Sequence, residues 1–307
     1  MIYTVTLDPM LDRVVAVEEL VYDDVNYIAE DHRRPAGKGI DVSRVIKELG
    51  GESISLGFAG GYTGSELTDL LAAEGIETDF TRIKNETRTS LTIFQRKKKI
   101  RTLLSTRDPL INEPEIAEFR ARIDAIPDGS SVAISGNIPS GVKSSFFGDL
   151  ITGLKKKNIT IFLDSDREAF KLGVAAGPYM IKPNIFELNR LTGSRASQPD
   201  EMRKIVKPFL DNVEYIMVSL GARGAVGFSR EGNYYVKPPK VNVRNSSGAG
   251  DSLLGGFIYT MTQTGSFEKS LKMGVACGTA STLGVSGAIC RKNDINNIKE
   301  EVIIEKF

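Results

Sequence analysis

The 307-residue chain is 41% hydrophobic and 26% charged, with enough apolar material for one large or two modest globular domains. Its 40 basic side chains nearly balance 39 acidic ones, so a formal charge of +1 draws it neither to nucleic acid nor to an anionic membrane, and any anion site must be local. Two cysteines, Cys277 and Cys290, read as reduced thiols, and the lone histidine, His32 in "EDHRRP", lacks metal-ligand partners and reads as a solvated loop residue.

The chain opens with "MIYTVTLDPMLD", which meets an acid after seven residues and has no basic flank with an apolar signal core. No run of about 18 apolar residues follows anywhere, so the expected location is the cytoplasm, with no membrane partner. "IYTVTL" is the first β-rich run. In "DVSRVIKELG", Val42, Val45, Ile46 and Leu49 fall at i, i+3, i+4 and i+7, which predicts a helix with Asp41 as its start cap and Gly50 as its stop. "SISLGFAGG" then reads as a strand and "GSELTDLLAAEGI" as a helix, and "SVAISG", "ITIFLD", "YMIKPN" and "EYIMVSLG" are later strand candidates. Such alternation predicts an α/β fold built on a parallel sheet.

Two segments break the alternation: "RVVAVEELVYDDVNYIAEDHRRP" and "TRTSLTIFQRKKKIRTLLSTRDP" carry strand-like runs and few helix signals. We expect them, at approximately 12–35 and 86–108, to form a small β-sheet lid inserted in a single domain covering 1–307. Within the second, "RKKKIR" reads as a solvated hairpin tip in preference to a phosphate-binding patch.

Near the carboxyl end, "NSSGAGDSLLGGF" sets one acid, Asp251, behind a loop of small residues, Ser246 to Gly250, and ahead of an apolar helical stretch. Backbone N–H groups at such a helix start form an anion site, and an acid beside it has a task if it accepts a proton from an attacking hydroxyl. The plain alternative is an acid that stabilises the helix dipole. Two nucleotide patterns fail: "GNIPSGVKS" places Val142 where a Walker loop needs lysine, and "GAGDSL" lacks the third glycine of a dinucleotide fingerprint.

"SGAGDSLLGGF" resembles the G-A-G-D signature of the PfkB (ribokinase-like) carbohydrate kinases. "PAGKGIDVSRVIKELG", "SGNIPSGV", "IKPNIFEL" and "VSLGARGAVGF" resemble further signatures of that family in the same order, and "TLDPMLD" with "NETR" is most similar to its 1-phosphofructokinase and tagatose-6-phosphate kinase branch. The resemblance implies a ribokinase-like fold with a β lid and an enzyme that uses ATP with Mg²⁺ to phosphorylate a hydroxyl of a sugar phosphate. It implies Asp251 as general base, with the amides of Gly248, Ala249 and Gly250 as anion hole. It places Asp12, Gly37, Lys38, Gly39, Asp41 and Arg88 at the sugar, with Arg88 suited to the substrate's own phosphate. It assigns Asn184, Glu187, Ser219, Gly221, Gly224 and Ser247 to the nucleotide, with Glu187 holding Mg²⁺ directly or through water, and it allows a homodimer through the lid.

Plainer readings stand beside these roles. Asn184 and Glu187 also fit a capping box, Ser219 to Gly224 a turn, "GVACGTASTLG" close helix packing as well as a nucleotide-side helix, and Asp41 a helix cap. The chain departs from the branch pattern at Asp8, Tyr27, Ala36 and Asp41, all on the sugar side. Other functions compatible with the pattern are a kinase for an unphosphorylated sugar or nucleoside and a nucleotide-binding regulator without turnover.

Overall fold

A computed structural model describes residues 1–284 and 289–307. The strands, in chain order, are β1 (Ile2–Thr6), β2 (Met10–Val17), β3 (Glu30–Ala36), β4 (Ser53–Gly60), β5 (Glu77–Thr78), β6 (Thr81–Ile83), β7 (Arg88–Gln95), β8 (Ile100–Ser105), β9 (Ser131–Ser135), β10 (Thr160–Asp164), β11 (Met180–Ile181), β12 (Tyr215–Ser219), β13 (Ala225–Phe228), β14 (Asn233–Lys237) and β15 (Ile303–Lys306). The helices are α1 (Lys38–Glu48), α2 (Gly61–Ala73), α3 (Glu113–Asp124), α4 (Phe146–Lys155), α5 (Arg167–Ala175), α6 (Ile185–Thr192), α7 (Pro199–Val206), α8 (Ala249–Thr264), α9 (Phe267–Ser281) and α10 (Lys292–Glu301).

The large sheet runs β15-β14-β13-β12-β11-β10-β9-β1-β4-β5, with β6 beside β4. Every pairing from β5 to β12 is parallel, and β13 to β15 complete the sheet antiparallel. Parallel strands are covered on both faces, which is why β9 and β10 carry no polar alternation. Phe119, Phe147, Phe170 and Met202 of α3, α4, α5 and α7 fill one core. Val45, Phe257, Leu271 and Ile295 of α1, α8, α9 and α10 fill the other. The strand order reverses at β1, which has β4 on one side and β9 on the other. Open α/β sheets bind ligands beyond the carboxyl ends of strands at such a reversal.

Helix α1 starts at Lys38 with Gly37 as N-cap, so Asp41 lies inside the first turn and is not the cap expected. Tertiary packing moves the start. A Cβ on Gly39 would fall 2.9 Å from the Val5 carbonyl oxygen, so the first turn rests directly on β1. The buried hydroxyls of Thr4, Ser43 and Ser55 then meet one another at 2.7 to 3.0 Å and tie α1 to β1 and β4.

The two irregular segments form a separate sheet ordered β3-β2-β7-β8. His32 belongs to β3, paired opposite Val14, and is exposed; strand pairing with β2 overrides the loop expected from its charged neighbours. The "RKKKIR" tip turns between β7 and β8, where Lys97 and Lys98 meet Glu19 at 2.7 and 2.9 Å and Arg96 meets Glu18 and Glu30. Three of its five cations are thus paired with acids of the small sheet and its β2–β3 loop. Cys277 and Cys290 are buried free thiols. No helix among the described residues is long and apolar enough to cross a membrane.

Candidate active site

Gly248 adopts a left-handed φ of 80° as the N-cap of α8, without a side-chain cap. Ala249, Gly250 and Asp251 therefore occupy the first turn, whose N–H groups have no acceptor within the helix. The Ala249 N–H reaches back to the Ser246 carbonyl at 3.4 Å, so one of the three expected amides is weakly engaged. Half-buried Asp251 stands on that turn. Burial, then the charges of Asp164 and Asp41, push its carboxyl up to about 8, against the pull of Lys38 and Lys182.

Asp164 ends β10 and is fully buried. Lys182 lies just beyond β11 and approaches its Oδ2 at 2.9 Å, while Lys38 of α1 donates to Oδ1 at 3.1 Å. Burial opposes the charge of Asp164, but the two ammonium groups hold the carboxyl below its usual range. Burial likewise opposes the charge of Lys38, and Asp164, Asp251 and Glu187 keep its pKa above the usual lysine range. A Cβ on Gly250 would meet the Lys182 Nζ at 3.6 Å, so this ammonium lies against the first turn of α8. Three elements distant in sequence thus converge on Asp251. Lys38, one of the residues expected at the sugar, thus also belongs to this group.

Asp164 and Lys182 escaped the sequence reading. Each had a signal: "ITIFLD" ends an apolar strand on an acid at the carboxyl edge of the sheet, and Lys182 stands within "IKPN".

Asn184 and Glu187 form the capping box of α6: Asn184 Oδ1 accepts from the Phe186 and Glu187 N–H groups, and Glu187 Oε2 accepts from the Asn184 N–H at 2.8 Å. Burial raises the Glu187 carboxyl, with Asp164 adding to the effect against that N–H and the lysines. Among the described residues no three acidic, histidine or cysteine side chains gather into a metal-holding group. Glu187 keeps one oxygen clear of its cap, a donor that fits a Mg²⁺ retaining water and phosphate ligands in preference to an all-protein cage.

Ser219 ends β12 and bridges to Asn184, its N–H donating to the Pro183 carbonyl at 3.0 Å. Gly221 opens a 3-10 turn closed by Gly224, which brings this turn beside the α6 cap. Ser247 is exposed in the loop before Gly248. Gly274 and Gly278 of α9 face α8 so closely that added Cβ atoms would lie 2.7 Å from the Leu253 oxygen and 3.0 Å from the Ala249 oxygen. Close helix packing accounts for both.

Among the residues expected at the sugar, the arginines and acids are paired. Arg88, the first residue of β7, meets Asp8 at 2.8 Å; Arg34 meets Asp12 at 3.0 Å and Asp41 at 4.0 Å. Buried Arg44 donates to Asp41 at 2.8 Å, to the Pro35 carbonyl at 2.7 Å, and through two nitrogens to Glu74 at 2.6 and 2.7 Å. Burial outweighs Arg88 and raises the Asp8 carboxyl, and burial likewise outweighs Arg44 and Arg34 at Asp41. Gly37 packs its backbone against Thr6 and Pro9. Ala36 is buried at the end of β3, and Tyr27 is exposed.

The sequence profile of the pfkB family of carbohydrate kinases matches residues 1–294. The chain is 30% identical over 307 residues to 1-phosphofructokinase of Borreliella burgdorferi, covering 99% of this chain and 98% of that one. It is 29% identical over 288 residues to tagatose-6-phosphate kinase of Staphylococcus epidermidis, covering 92% of each. A crystal structure of phosphofructokinase-2 from Escherichia coli superposes with a TM-score of 0.92 at 31% identity over 98% of both chains.

Proposed function

The chain belongs to the pfkB family of carbohydrate kinases and is an ATP-dependent sugar kinase, and from that premise we propose that its acceptor is a sugar phosphate, fructose 1-phosphate or tagatose 6-phosphate, with Mg²⁺ accompanying ATP. The observation that carries the reading is the position of Asp251: on the first turn of α8, behind left-handed Gly248, with Lys182 against Gly250. Phosphoryl transfer is catalysed mainly by positioning and electrostatics, and a helix start supplies donors that need no reorganisation.

Asp251 accepts the proton of the attacking hydroxyl while the amides of Gly248, Ala249 and Gly250 face the oxygens of the phosphoryl group in transit. Lys38 and Lys182 offset the negative charge that the nucleotide brings beside Asp164 and Asp251. Mg²⁺, held through Glu187 or its waters, supplies neutralisation of phosphate oxygens when bound. Ser219, Gly221, Gly224, Ser247 and Asn184 flank the nucleotide. Arg88 takes the acceptor's phosphate; Asp12 and Asp41 accept from its hydroxyls with oxygens their arginines leave over, and Gly37 and Gly39 admit it close to the backbone.

The small sheet, segments 12–35 and 86–108 of a single domain, acts as a lid over the acceptor. It exposes Val21, Tyr22, Val25, Tyr27 and Leu103, an apolar surface that a second copy would cover in a homodimer. The acceptor assignment is tested by following ADP release with Mg-ATP and a panel of ketohexoses, their phosphates and nucleosides. We expect kcat/KM to be highest for a ketohexose phosphate. A preference for an unphosphorylated sugar or nucleoside overturns the acceptor class.

A further inference from the structure

Asp8 lies in the loop that leaves β1, between Thr6 and Pro9. Both neighbours press on the backbone of Gly37, where an added Cβ would lie 2.6 Å from Thr6 Cγ2 and 3.6 Å from Pro9 Cα. The chain on either side of Asp8 therefore rests against the N-cap of α1, at the strand reversal of the large sheet. It is 9% exposed. Its Oδ2 meets Arg88 Nε at 2.8 Å, and its Oδ1 is buried without a protein hydrogen-bond partner among the described residues. A buried carboxylate oxygen with no donor is costly, and a ligand hydroxyl relieves that cost.

Arg88 approaches Asp8 through Nε as an ion pair in which Nε makes no well-formed hydrogen bond, and a partly exposed guanidinium can pair phosphate oxygens through its further N–H groups. A carboxylate on the same guanidinium weakens its attraction for a second anion. We propose that Asp8 is a specificity-determining residue of the acceptor site: Oδ1 accepts from a sugar hydroxyl while Oδ2 tempers Arg88, shifting preference from phosphorylated towards unphosphorylated acceptors. The inference rests on the reading that Arg88 faces the acceptor.

Asp8→Asn keeps the side-chain volume and an oxygen for Arg88 but removes the charge. Steady-state kinetics of wild type and variant are compared for fructose 1-phosphate, tagatose 6-phosphate, fructose and tagatose, with thermal melting to confirm folding. The expected result is a KM for the phosphorylated sugars lowered about fivefold or more, a KM for the free sugars raised, and kcat and the KM for ATP within about twofold of wild type. Asp8→Ser, which also removes the charge, carries the same expectation if the amide variant fails to fold. Equal changes for both acceptor classes, or none, overturn the inference and leave the proposed function standing. A wild type that ignores the phosphates while the variant gains them supports the role of Asp8 and overturns the proposed acceptor. If neither protein uses any phosphorylated sugar, both fall.

Discussion

In its proposed role Asp251 must be unprotonated to accept a proton, yet burial and the neighbouring carboxylates push its carboxyl up to about 8. Below that pH the free protein holds the residue neutral, so kcat/KM for the acceptor should fall about tenfold for each unit of acidification and level off above it. A pH–rate profile checks this; a limb in the ordinary carboxylate range would remove Asp251 from the role. Asp251→Asn should lose about 10²–10⁴-fold in kcat while still binding nucleotide, as measured by turnover and by titration. Asp41 belongs to a different economy of charge, because Arg44 is almost enclosed by Asp41, Glu74 and the Pro35 carbonyl. Asp41→Asn should cost about 1–3 kcal/mol in chemical denaturation by leaving that buried guanidinium short of a counter-charge. A cap would lose only tenths on the same exchange.

At the level of elements, α8 carries Asp251 and is held by its neighbour α9 through glycines. Gly274→Ala would place a methyl 2.7 Å from the Leu253 oxygen, so the helices must part. We expect a loss of about 1–3 kcal/mol in stability, read from denaturant midpoints. Strands β1, β4 and β9 to β12 and helices α1, α2 and α8 were legible because their apolar patterns are local. The start of α1 was not, since Asp41 looks like a cap and only the contact of Gly39 with Val5 shows why the helix begins at Lys38. The strand character of His32 was hidden for the same reason, its partner Val14 lying on β2. The glycine loop and Asp251 could be read as a unit because they are contiguous. The bridge from Lys38 and Lys182 to Asp164 could not, because it closes only when α1, β10 and β11 meet.

Across the whole molecule, the chain passes between the two sheets four times: from β1 to β2, from β3 to α1, from β6 to β7 and from β8 to α3. Asp8 lies at the first passage, Gly37 at the second and Arg88 at the third. An acceptor held by these residues ties the small sheet to the large one, so its addition should slow amide exchange in β2 and β7 more than in the solvent-facing α10. Exchange measured with and without a saturating sugar phosphate checks this. Equal protection everywhere would disconnect the small sheet from acceptor binding. If the acceptor binds at these passages as proposed, the substrate acts as the latch of the enclosure it enters. A substitution that retunes sugar choice at Asp8 or Arg88 then also resets how firmly the latch holds, and recognition and closure draw on one shared free energy.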